Sequence, residues 1–552
     1  MIFGSIPFRN IGATLIYYCR MKAASRGGAV DLVDLSQHSQ EAHRRRRMMK
    51  IIVGMMAAIA ILIGLFQLRE AIEGLIVTRT TVGETPVTIF SPSSDLPAPV
   101  VVIAHGFAGS QQLMQPFAET LAQNGYIAVT FDFLGHGRNP RPMRGEINEG
   151  KTITGALLGE LAEVAASARK LPGSDGRIAL LGHSMASDIV VRFAQANPDV
   201  QATVAVSVFS PVVTPTSPRN LLVIVGAIEP AMLRNEGLRI VGLAAGGTAV
   251  AGKTYGAFPD GTARKLVLAR GVEHIGVLYS HDSMVEALRW MNLAFDKGQE
   301  GFIDSRGRWL ALVFAGIVTL AWPLSTWLPV ASDISAGANL GWRPLLLASF
   351  VPAILTPLLL WKMPTDFLPI LLGDYLTLHF LLYGALTGAA LLYLRRHACR
   401  APNAFLLWTA VAIGTAAVAA YGIIAFGLPI EAYVLSFFPI PARIPLIAAI
   451  ACGTLPYFVA DEWLTRGTPS RRGAYALTKF CFLLSLAVAV TLNPTKLFFL
   501  VIIVPAILLL FLAFGLISRW SYAAIRHPLP AALANAAIFA WAIAVTFPMI
   551  IR

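Results

Sequence analysis

The first candidate for chemistry is the sequence GHSMA at positions 182–186. It joins a predicted strand, Arg177–Leu181, to a predicted helix, Met185–Asn197. Small residues at its first and last positions allow a sharp turn that leaves the Ser184 side chain exposed. The helix N-terminus below the serine favours negative charge that develops there. A non-catalytic strand-to-helix turn with a capping serine would have the same sequence. The pattern therefore indicates a catalytic site only if a base and an acid are available to Ser184.

Two histidines could serve as the base that Ser184 needs. A serine hydroxyl is a poor nucleophile near neutral pH and must pass its proton to a base. His274 stands in a loop after the predicted strand Lys265–Ala269, whereas His281 comes later, near the start of the next helix. On residue type alone, His274 and His281 stay rival candidates for the base.

A carboxylate must in turn orient the imidazole of the base. Glu229 follows the predicted strand Leu221–Val225, a position comparable to that of His274. Asp199 and Asp260 lie in predicted loops that fit this role less well. A surface loop carboxylate would also suit the sequence at Glu229, so its role is a hypothesis that rests on position.

Two further segments stand at strand ends and strengthen the pattern. The sequence HGFAGS at 105–110 follows the predicted strand Val100–Ala104, and DFLGHG at 132–137 follows the next predicted strand. With the segment at 182–186, they resemble the HG turn, the D-x-x-G-H-G loop and the G-x-S-x-G nucleophile elbow of the α/β-hydrolase superfamily. The resemblance covers about residues 75–298. It points to the broad group of monoacylglycerol lipases, dienelactone hydrolases and serine aminopeptidases.

This resemblance implies a role for each candidate residue. Ser184 would be the nucleophile, Glu229 would replace the usual Asp of a G-x-x-D-P pattern, and His274 would be the base. The backbone N–H groups of Phe107 and Met185 would form the oxyanion hole. The expected reaction is attack on a carbonyl, followed by release of the acyl group from the enzyme by water.

Strands and helices alternate through the part of the chain that carries these motifs. Such alternation implies a mostly parallel sheet covered on both faces. Two earlier β-prone segments, about Leu75–Thr81 and Thr85–Phe90, are expected to pair antiparallel. The other predicted strands are Val100–Ala104, Ile127–Phe131, Arg177–Leu181, Thr203–Val208, Leu221–Val225 and Lys265–Ala269. The predicted helices are Gln111–Asn124, Gly155–Lys170, Met185–Asn197, Ala231–Leu243 and Ser283–Phe295.

Composition divides the 552 residues into unlike parts. Hydrophobic residues make up 56% and charged residues 14%, whereas about 25% charged is usual for soluble proteins. A span needs about 20 mostly apolar residues, which predicts an anchor at 50–68 and about eight spans in 309–552. The resemblance implies the fold class α/β, an α/β-hydrolase fold with a mostly parallel sheet, and the apolar spans add an all-α polytopic transmembrane domain. The predicted spans lie near 50–68, 309–328, 344–361, 367–394, 404–427, 441–460, 475–492, 496–518 and 530–550.

Basic residues predict the orientation of these spans, because cytoplasmic loops carry an excess of Lys and Arg. Four arginines at 44–47 precede the first span and predict that residues 1–49 lie in the cytoplasm. These residues form a basic tail that is predicted to be disordered at 22–43. The hydrolase domain at 75–298 is then extracytoplasmic, on a bacterial inner or cell membrane. Alternation also puts the arginine-bearing links in the cytoplasm, with Arg395, Arg396, Arg400, Arg466, Arg471, Arg472, Arg519 and Arg526. The net charge of +13 is thus assigned to membrane topology.

Cofactors and macromolecular partners find little support in the sequence. The four cysteines, Cys19, Cys399, Cys452 and Cys481, form no CxxC pair, and no HExxH occurs. We therefore expect no metal site and no cofactor. No basic, aromatic-rich face occurs in the α/β part, so nucleic acid is not an expected partner. The expected partners are a small-molecule or lipid ester and membrane lipids, and the sequence identifies no protein partner.

The substrate class stays open between several alternatives. Only ten residues, 210–219, separate two late strands, and three of them are prolines. A helical lid does not fit there, so the site is open or covered by another part of the chain. A membrane-anchored esterase or lipase is the first hypothesis, an acyltransferase or peptidase the second, and a transporter or receptor with a hydrolase-like binding domain the third. Asp374 and His379 lie in a predicted span, where ionisable residues are functional candidates. In the alternative interpretation, the span starts later and Asp374 lies at the surface.

Overall fold

The computed structural model describes residues 32–94, 96–144, 150–298, 301–396, 405–468 and 470–551. The chain divides into a short N-terminal unit that ends at Met56 and a large unit, Ala57–Arg552, that holds the sheet and the later helices. Helix α1 runs over Leu32–Glu70. The predicted disorder at 22–43 is therefore wrong from Leu32 onward, because no Gly or Pro interrupts the chain there to end the helix. Residues 22–31 of the predicted disordered segment lie outside the described residues.

A nine-stranded sheet forms the centre of the part that carries the motifs. Its strand order is β1-β2-β4-β3-β6-β7-β8-β10-β9. The pairs from β4 to β10 are parallel, and β1, β2 and β9 join antiparallel at the two sides. The strands are β1 Leu75–Val82, β2 Thr85–Pro92, β3 Ala98–Ala104, β4 Ile127–Phe131, β6 Ser174–His183, β7 Val200–Val206, β8 Leu221–Gly226, β9 Thr254–Tyr255 and β10 Arg264–Ala269.

Five helices cover the two faces of this sheet. Helices α2 and α6 bury Phe117, Leu121 and Trp290 against one face, and α3 and α4 bury Leu161 and Val190 against the other. Every residue of β3 and β4 is buried, as expected for central parallel strands covered on both sides. The helices are α2 Gln115–Gln123, α3 Gly150–Ala168, α4 Met185–Ala196, α5 Ala231–Ala245 and α6 His281–Phe295. The α/β-hydrolase fold predicted from the motifs is confirmed.

A second region consists of apolar helices, and we call Arg306–Thr546 the helical region and Leu75–Phe295 the sheet region. Its members are α7 Arg306–Leu324, α8 Trp342–Leu360, α9 Gly373–Arg396, α10 Trp408–Ala420, α11 Gly427–Tyr433, α12 Ile444–Thr465, α13 Ala474–Leu492, α14 Pro494–Leu497, α15 Phe499–Ile525 and α16 Leu529–Thr546. A π-helical stretch, Tyr421–Ala425, continues α10. Within the described residues, nine helices including α1 are long and apolar enough to cross a membrane. This number agrees with the predicted count.

The two regions meet along one edge of the sheet. A second, two-stranded sheet pairs β5, Met143–Arg144, in parallel with β11, Ile550–Ile551, which follows α16. Next to it, Met549 N donates to Gly135 O at 2.8 Å and Met549 O accepts from Met143 N at 3.0 Å. The sequence analysis contains neither strand, since two residues form no recognisable period. The pairing ties the end of the last span to the loop after β4.

Candidate active site

The nucleophile elbow at Ser184 is a strained turn between β6 and α4. Ser184 has φ 53° and ψ −117°, outside the usual helix and strand regions, and its N–H donates to Val206 O at 2.8 Å. A Cβ at Gly182 would lie 2.5 Å from the backbone O of Ala186, so only glycine fits that position. Strain of this kind persists where surrounding structure enforces it, and it clusters at functional sites.

A chain of hydrogen bonds joins the three predicted site residues. Nε2 of His274 lies 3.0 Å from Ser184 Oγ, and Nδ1 of His274 lies 2.8 Å from Glu229 Oε2. Strand β6 supplies the serine, the loop after β8 supplies the glutamate and the loop after β10 supplies the histidine. All three therefore meet at the carboxyl edge of the sheet, by which we mean the edge where the parallel strands end.

Buried donors hold the second oxygen of Glu229. Its Oε1 accepts from Ser207 Oγ and from Gly226 N, both at 2.7 Å, and the side chain is fully buried. Ser207 follows β7 directly and has φ 55°. Ser207 was not predicted as a site residue, because it falls inside the predicted strand Thr203–Val208, whereas the observed strand ends at Val206. With both oxygens bonded, Glu229 has one orientation and faces His274.

The loop of His274 is fixed by local contacts. The Glu273 carboxylate accepts from Ile275 N and Gly276 N, each at 2.8 Å. Nε2 of His183 lies 3.0 Å from the backbone O of His274. Burial holds the pKa of His183 well below its ordinary value, so its ring stays neutral and can donate to that carbonyl. His183 therefore supports the loop of His274 from below and does not reach the reacting oxygen.

Two backbone N–H groups point to an oxyanion hole. Within the described residues, neither Phe107 N nor Met185 N has a protein acceptor. Met185 begins α4, where the first N–H groups have no partner inside the helix. A Cβ on Gly106 would lie 3.0 Å from both His183 Nδ1 and Ser184 Cβ. Glycine there lets the loop after β3 approach the elbow closely, and Phe107 is the next residue of that loop.

The DFLGHG segment forms a buried support for this loop. The Asp132 carboxylate accepts from Gln111 N at 2.8 Å and from Arg138 N at 3.0 Å. His105 Nε2 accepts from Phe133 N at 3.1 Å, and burial lowers the pKa of His105, which keeps this nitrogen free to accept. His136 is buried beside His105 and does not contact Ser184. These contacts give the segment a structural role beside the site.

The helical region touches the same loops from the other side. The ring of Phe107 stacks on Phe499 at the start of α15, with centroids 4.3 Å apart. Ser436 N donates to Ser110 Oγ at 2.9 Å, and Ser436 Oγ lies 3.0 Å from Gln112 Oε1. The loop that carries the Phe107 N–H therefore packs between the sheet and the helical region, a contact that the sequence analysis left undecided.

Charged residues of the helical region complete this contact. Glu431 pairs with Arg138 at 2.5 Å, and its second oxygen accepts from Phe437 N and Phe438 N. The short helix α11 and the loop after it thus pack against the sheet region. Arg443, fully buried, donates to Gly135 O at 2.7 Å and to the end of α16.

The rejected candidates lie away from Ser184. His281 is exposed at the start of α6, and Asp199 pairs with Arg169. Asp260 stands in the turn before β10, at the amino edge of the sheet. In the part of the chain that the structure describes, no group of three metal-binding side chains occurs. Cys19 and Cys399 lie outside the described residues.

The two ionisable residues predicted in a span are both buried in protein. Asp374 lies in the first turn of α9 and accepts from Tyr375 N. His379 lies one turn further, with Nδ1 3.3 Å from Tyr375 OH and Nε2 3.1 Å from Ser485 Oγ. Asp374 is therefore not a surface residue, and its side chain is shielded by neighbouring helices.

Comparison with known proteins agrees with this fold. Residues 95–238 match the family described as serine aminopeptidase, S33. Cutinase 1 of Thermobifida cellulosilytica is 25% identical over 117 residues, which cover 21% of this chain and 42% of that protein. A cutinase of Thermobifida fusca (strain YX) is also 25% identical over 117 residues, covering 21% and 36%. The chain thus spans less than half the length of these relatives.

Solved structures with related folds include two hydrolases. One is a putative dienelactone hydrolase from Klebsiella pneumoniae, at 18% identity and TM-score 0.30, which covers 41% of this chain and 99% of that one. Another is an esterase from Pyrobaculum calidifontis, at 15% identity and TM-score 0.30, covering 44% and 93%. The family match covers the elbow and both upstream motifs, and the sheet has the strand order described above. The sheet region therefore has the α/β-hydrolase fold, and residues 95–238 are similar to the serine aminopeptidase S33 family.

Proposed function

We propose that the protein is a membrane-bound serine hydrolase that cleaves a carboxylic ester. The observation that carries the proposal is the unbroken hydrogen-bond chain from Ser184 through His274 to Glu229. Nucleophile, base and orienting acid in this geometry recur in serine hydrolases of unrelated folds. Cutinases and an esterase among the similar proteins favour an ester as the substrate.

The mechanism follows from the distances in the site. Ser184 Oγ attacks the ester carbonyl carbon while its proton passes to His274 Nε2, 3.0 Å away. Glu229, held by two donors, stabilises the imidazolium through Nδ1. The tetrahedral oxyanion accepts from Phe107 N and Met185 N. His274 then gives its proton to the leaving alcohol, and an acyl-enzyme remains on Ser184.

Water completes the cycle by the same route in reverse. His274 takes a proton from a water molecule, which attacks the acyl carbonyl, and the second tetrahedral intermediate collapses to free acid and Ser184. The partly open side of the site supports this step, because the His274 side chain keeps 11% of its surface exposed. A carbonyl bound at the elbow therefore has access to solvent for deacylation.

A membrane location is supported by the order of the helix ends. The nine candidate spans alternate in direction if each crosses once. The ends that contact the sheet region are the starts of α12 and α15, the end of α16 and the end of α11. Alternation puts all of these ends on one side, the side that α1 reaches at Glu70. The basic links fall on the other side, which predicts an extracytoplasmic sheet region.

Hydrolysis of an ester panel by the full chain in detergent or nanodiscs tests the proposal. We expect turnover of p-nitrophenyl butyrate and longer acyl esters by wild type and none above background by Ser184→Ala. A Ser167→Ala variant is the control, because Ser167 lies near the end of α3 and outside the hydrogen-bond chain. Equal turnover by wild type and Ser184→Ala would refute the proposal.

A further inference from the structure

The carboxyl edge of the sheet has two unlike halves. The loops after β3 and β4 pack on the helical region, through Phe107 on Phe499 and Arg138 on Glu431. The loops after β7 and β8 carry large apolar side chains that are exposed. We call this set the apolar rim: Phe209 at 55% exposed, Ile228 at 65% and Met232 at 48%.

The apolar rim borders the site itself. Phe209 follows Ser207, whose hydroxyl donates to Glu229. Ile228 directly precedes Glu229, and Met232 stands in the first turn of α5, just after it. Exposed apolar residues are unremarkable singly, but a group at the mouth of a site marks a surface that binds something apolar.

No part of the described chain covers the rim. The segment from Ser207 to Asn220, between β7 and β8, contains no helix, so it supplies no lid of the kind common in lipases. Within the described residues, the helical region touches the loops after β3 and β4, strand β5, helix α2 at Glu119 and the segment after β10 at Tyr279, while the three rim side chains stay exposed. The half of the edge that carries the rim is therefore free to meet a different apolar phase.

Continuity with the helical region identifies that phase. One half of the carboxyl edge contacts the helix ends, and the other half carries the apolar rim. In a chain whose helices cross a bilayer, the plane of these helix ends is the membrane surface. An edge that rests on the helices and extends beyond them overhangs the lipid beside them. Apolar side chains at such a position insert into the interfacial zone of a bilayer.

We propose that the apolar rim inserts into the outer lipid surface and that the substrate is an acyl ester of a membrane lipid. The lipid reaches Ser184 from the bilayer past Phe209 and Ile228 without crossing water. The proposal rests on the hydrolase function proposed above and adds the substrate class and its route of entry. The acyl chain stays in the apolar phase while its ester carbonyl rises to the elbow.

A comparison of two substrates tests the route. The full chain in phosphatidylethanolamine–phosphatidylglycerol nanodiscs is given 4-methylumbelliferyl oleate, which partitions into lipid, and p-nitrophenyl butyrate, which is soluble. In the triple variant F209S/I228S/M232S, we expect the ratio of kcat/KM for oleate over butyrate to fall about tenfold, as lost insertion of apolar area implies. The control Leu96→Ser changes a 76% exposed residue before β3, at the opposite edge, and keeps the wild-type ratio. An unchanged ratio in the triple variant would overturn the proposal.

A direct measurement locates the rim relative to lipid. Phe209→Cys and the control Leu96→Cys are labelled with the NBD fluorophore, against unsubstituted chain treated in the same way. Doxyl-labelled lipids in the nanodisc should quench the probe at 209 and leave the probe at 96 unaffected. A probe at 209 that doxyl lipids do not quench, or that cross-links to a second copy instead, would assign the rim to a protein contact and refute the proposal. Fluorophosphonate labelling of Ser184 in the same sample separates this failure from failure of the hydrolase function.

Discussion

The sheet region and the helical region bury polar groups in opposite ways. In the sheet region, Ser184, His274 and Glu229 gather at one edge, and each lies within a few residues of a strand end. In the helical region, buried side chains of opposite charge form ion pairs within and between helices, whereas the buried Arg443 bonds backbone carbonyl groups. Lys479 of α13 pairs with Asp461 of α12, and Tyr457 lies beside the same ammonium group.

A second pair in the helical region follows the same rule. Arg466 bonds Glu462 at 2.8 Å, and Ser518 of α15 bonds both side chains. These pairs lie at the ends of the helices far from the sheet region. Each ion is neutralised and hydrogen-bonded, as burial of charge requires, and none has a proton acceptor placed as in the sheet region. The difference separates the hydrogen-bond chain at Ser184, the proposed site of proton transfer, from ion pairs that join helices.

Loss of the base should have the largest effect. In His274→Ala, no group can accept the Ser184 proton, so kcat should fall by about 10⁴-fold to 10⁶-fold. His281→Ala is the control, because His281 was the rival in the sequence and lies exposed at the start of α6. Ester hydrolysis by both variants is the measurement. Retained activity in His274→Ala with loss in His281→Ala would reverse the assignment.

Removal of the charge on Glu229 should lower kcat less than the loss of His274 does. Glu229→Gln keeps the shape but cannot stabilise an imidazolium, and about 10²-fold to 10⁴-fold in kcat is expected, with little change in KM. Asp199→Asn, at the rejected surface carboxylate, should behave as wild type. Equal loss in both variants, measured by steady-state kinetics, would contradict the role of Glu229.

In the helical region, a broken ion pair should act on stability. Lys479→Met leaves Asp461 buried without its partner, which should lower the free energy of unfolding by about 3–5 kcal/mol. The double variant K479M/D461L should recover most of that loss, because no charge is then left unpaired. Thermal melts in detergent measure both. A stable Lys479→Met protein that has lost ester hydrolysis would instead connect this pair to catalysis.

Contacts between the regions should have an intermediate effect on rate. Phe499→Ala removes the ring that stacks on Phe107. A stacked pair contributes about 1 kcal/mol, so kcat should fall about fivefold while KM changes less, because the oxyanion loop loses support. Phe498→Ala, the neighbouring residue with an exposed ring, is the matched control. A change confined to KM would indicate that Phe499 contacts substrate and does not position the loop.

The smallest effect concerns Glu119, where the sheet region meets α7. Burial raises the pKa of Glu119 to about 7, against the opposing effect of Arg306. Its folded pKa lies above the ordinary 4.5, so the folded state binds the proton more tightly and stability falls as pH rises from 4.5 to about 7. Glu119→Gln should flatten this part of the Tm profile, by roughly 2–4 °C. Parallel profiles for the two proteins would contradict this account.

The sequence predicts the sheet region well because its signals are local. The central parallel strands are apolar runs bounded by turn residues, and each predicted site residue follows such a run, whereas the two-residue strands β5 and β9 have no such signal. The parallel sheet then brings distant strand ends together, which is why Ser184, Glu229 and His274 meet. Ser207 escaped prediction, because a serine after a strand has no special letter pattern.

The helical region shows what local signals cannot supply. Hydropathy predicts the number and place of spans, since 20 apolar residues suffice to identify each one. Pairing between helices depends on their rotation and order, which a uniform apolar run does not encode. For that reason, the stack of Phe499 on Phe107 and the strand pair Met143 with Ile550 appear only in the structure.

The most direct test of the central claim is covalent labelling of Ser184. The full chain in nanodiscs is treated with a fluorophosphonate probe, and the labelled peptide is identified by mass spectrometry. We predict one adduct, on Ser184, that forms rapidly in wild type and is absent in Ser184→Ala. In His274→Ala, the rate of labelling should fall by orders of magnitude. Labelling of another serine, or equal labelling in wild type and Ser184→Ala, would contradict the account.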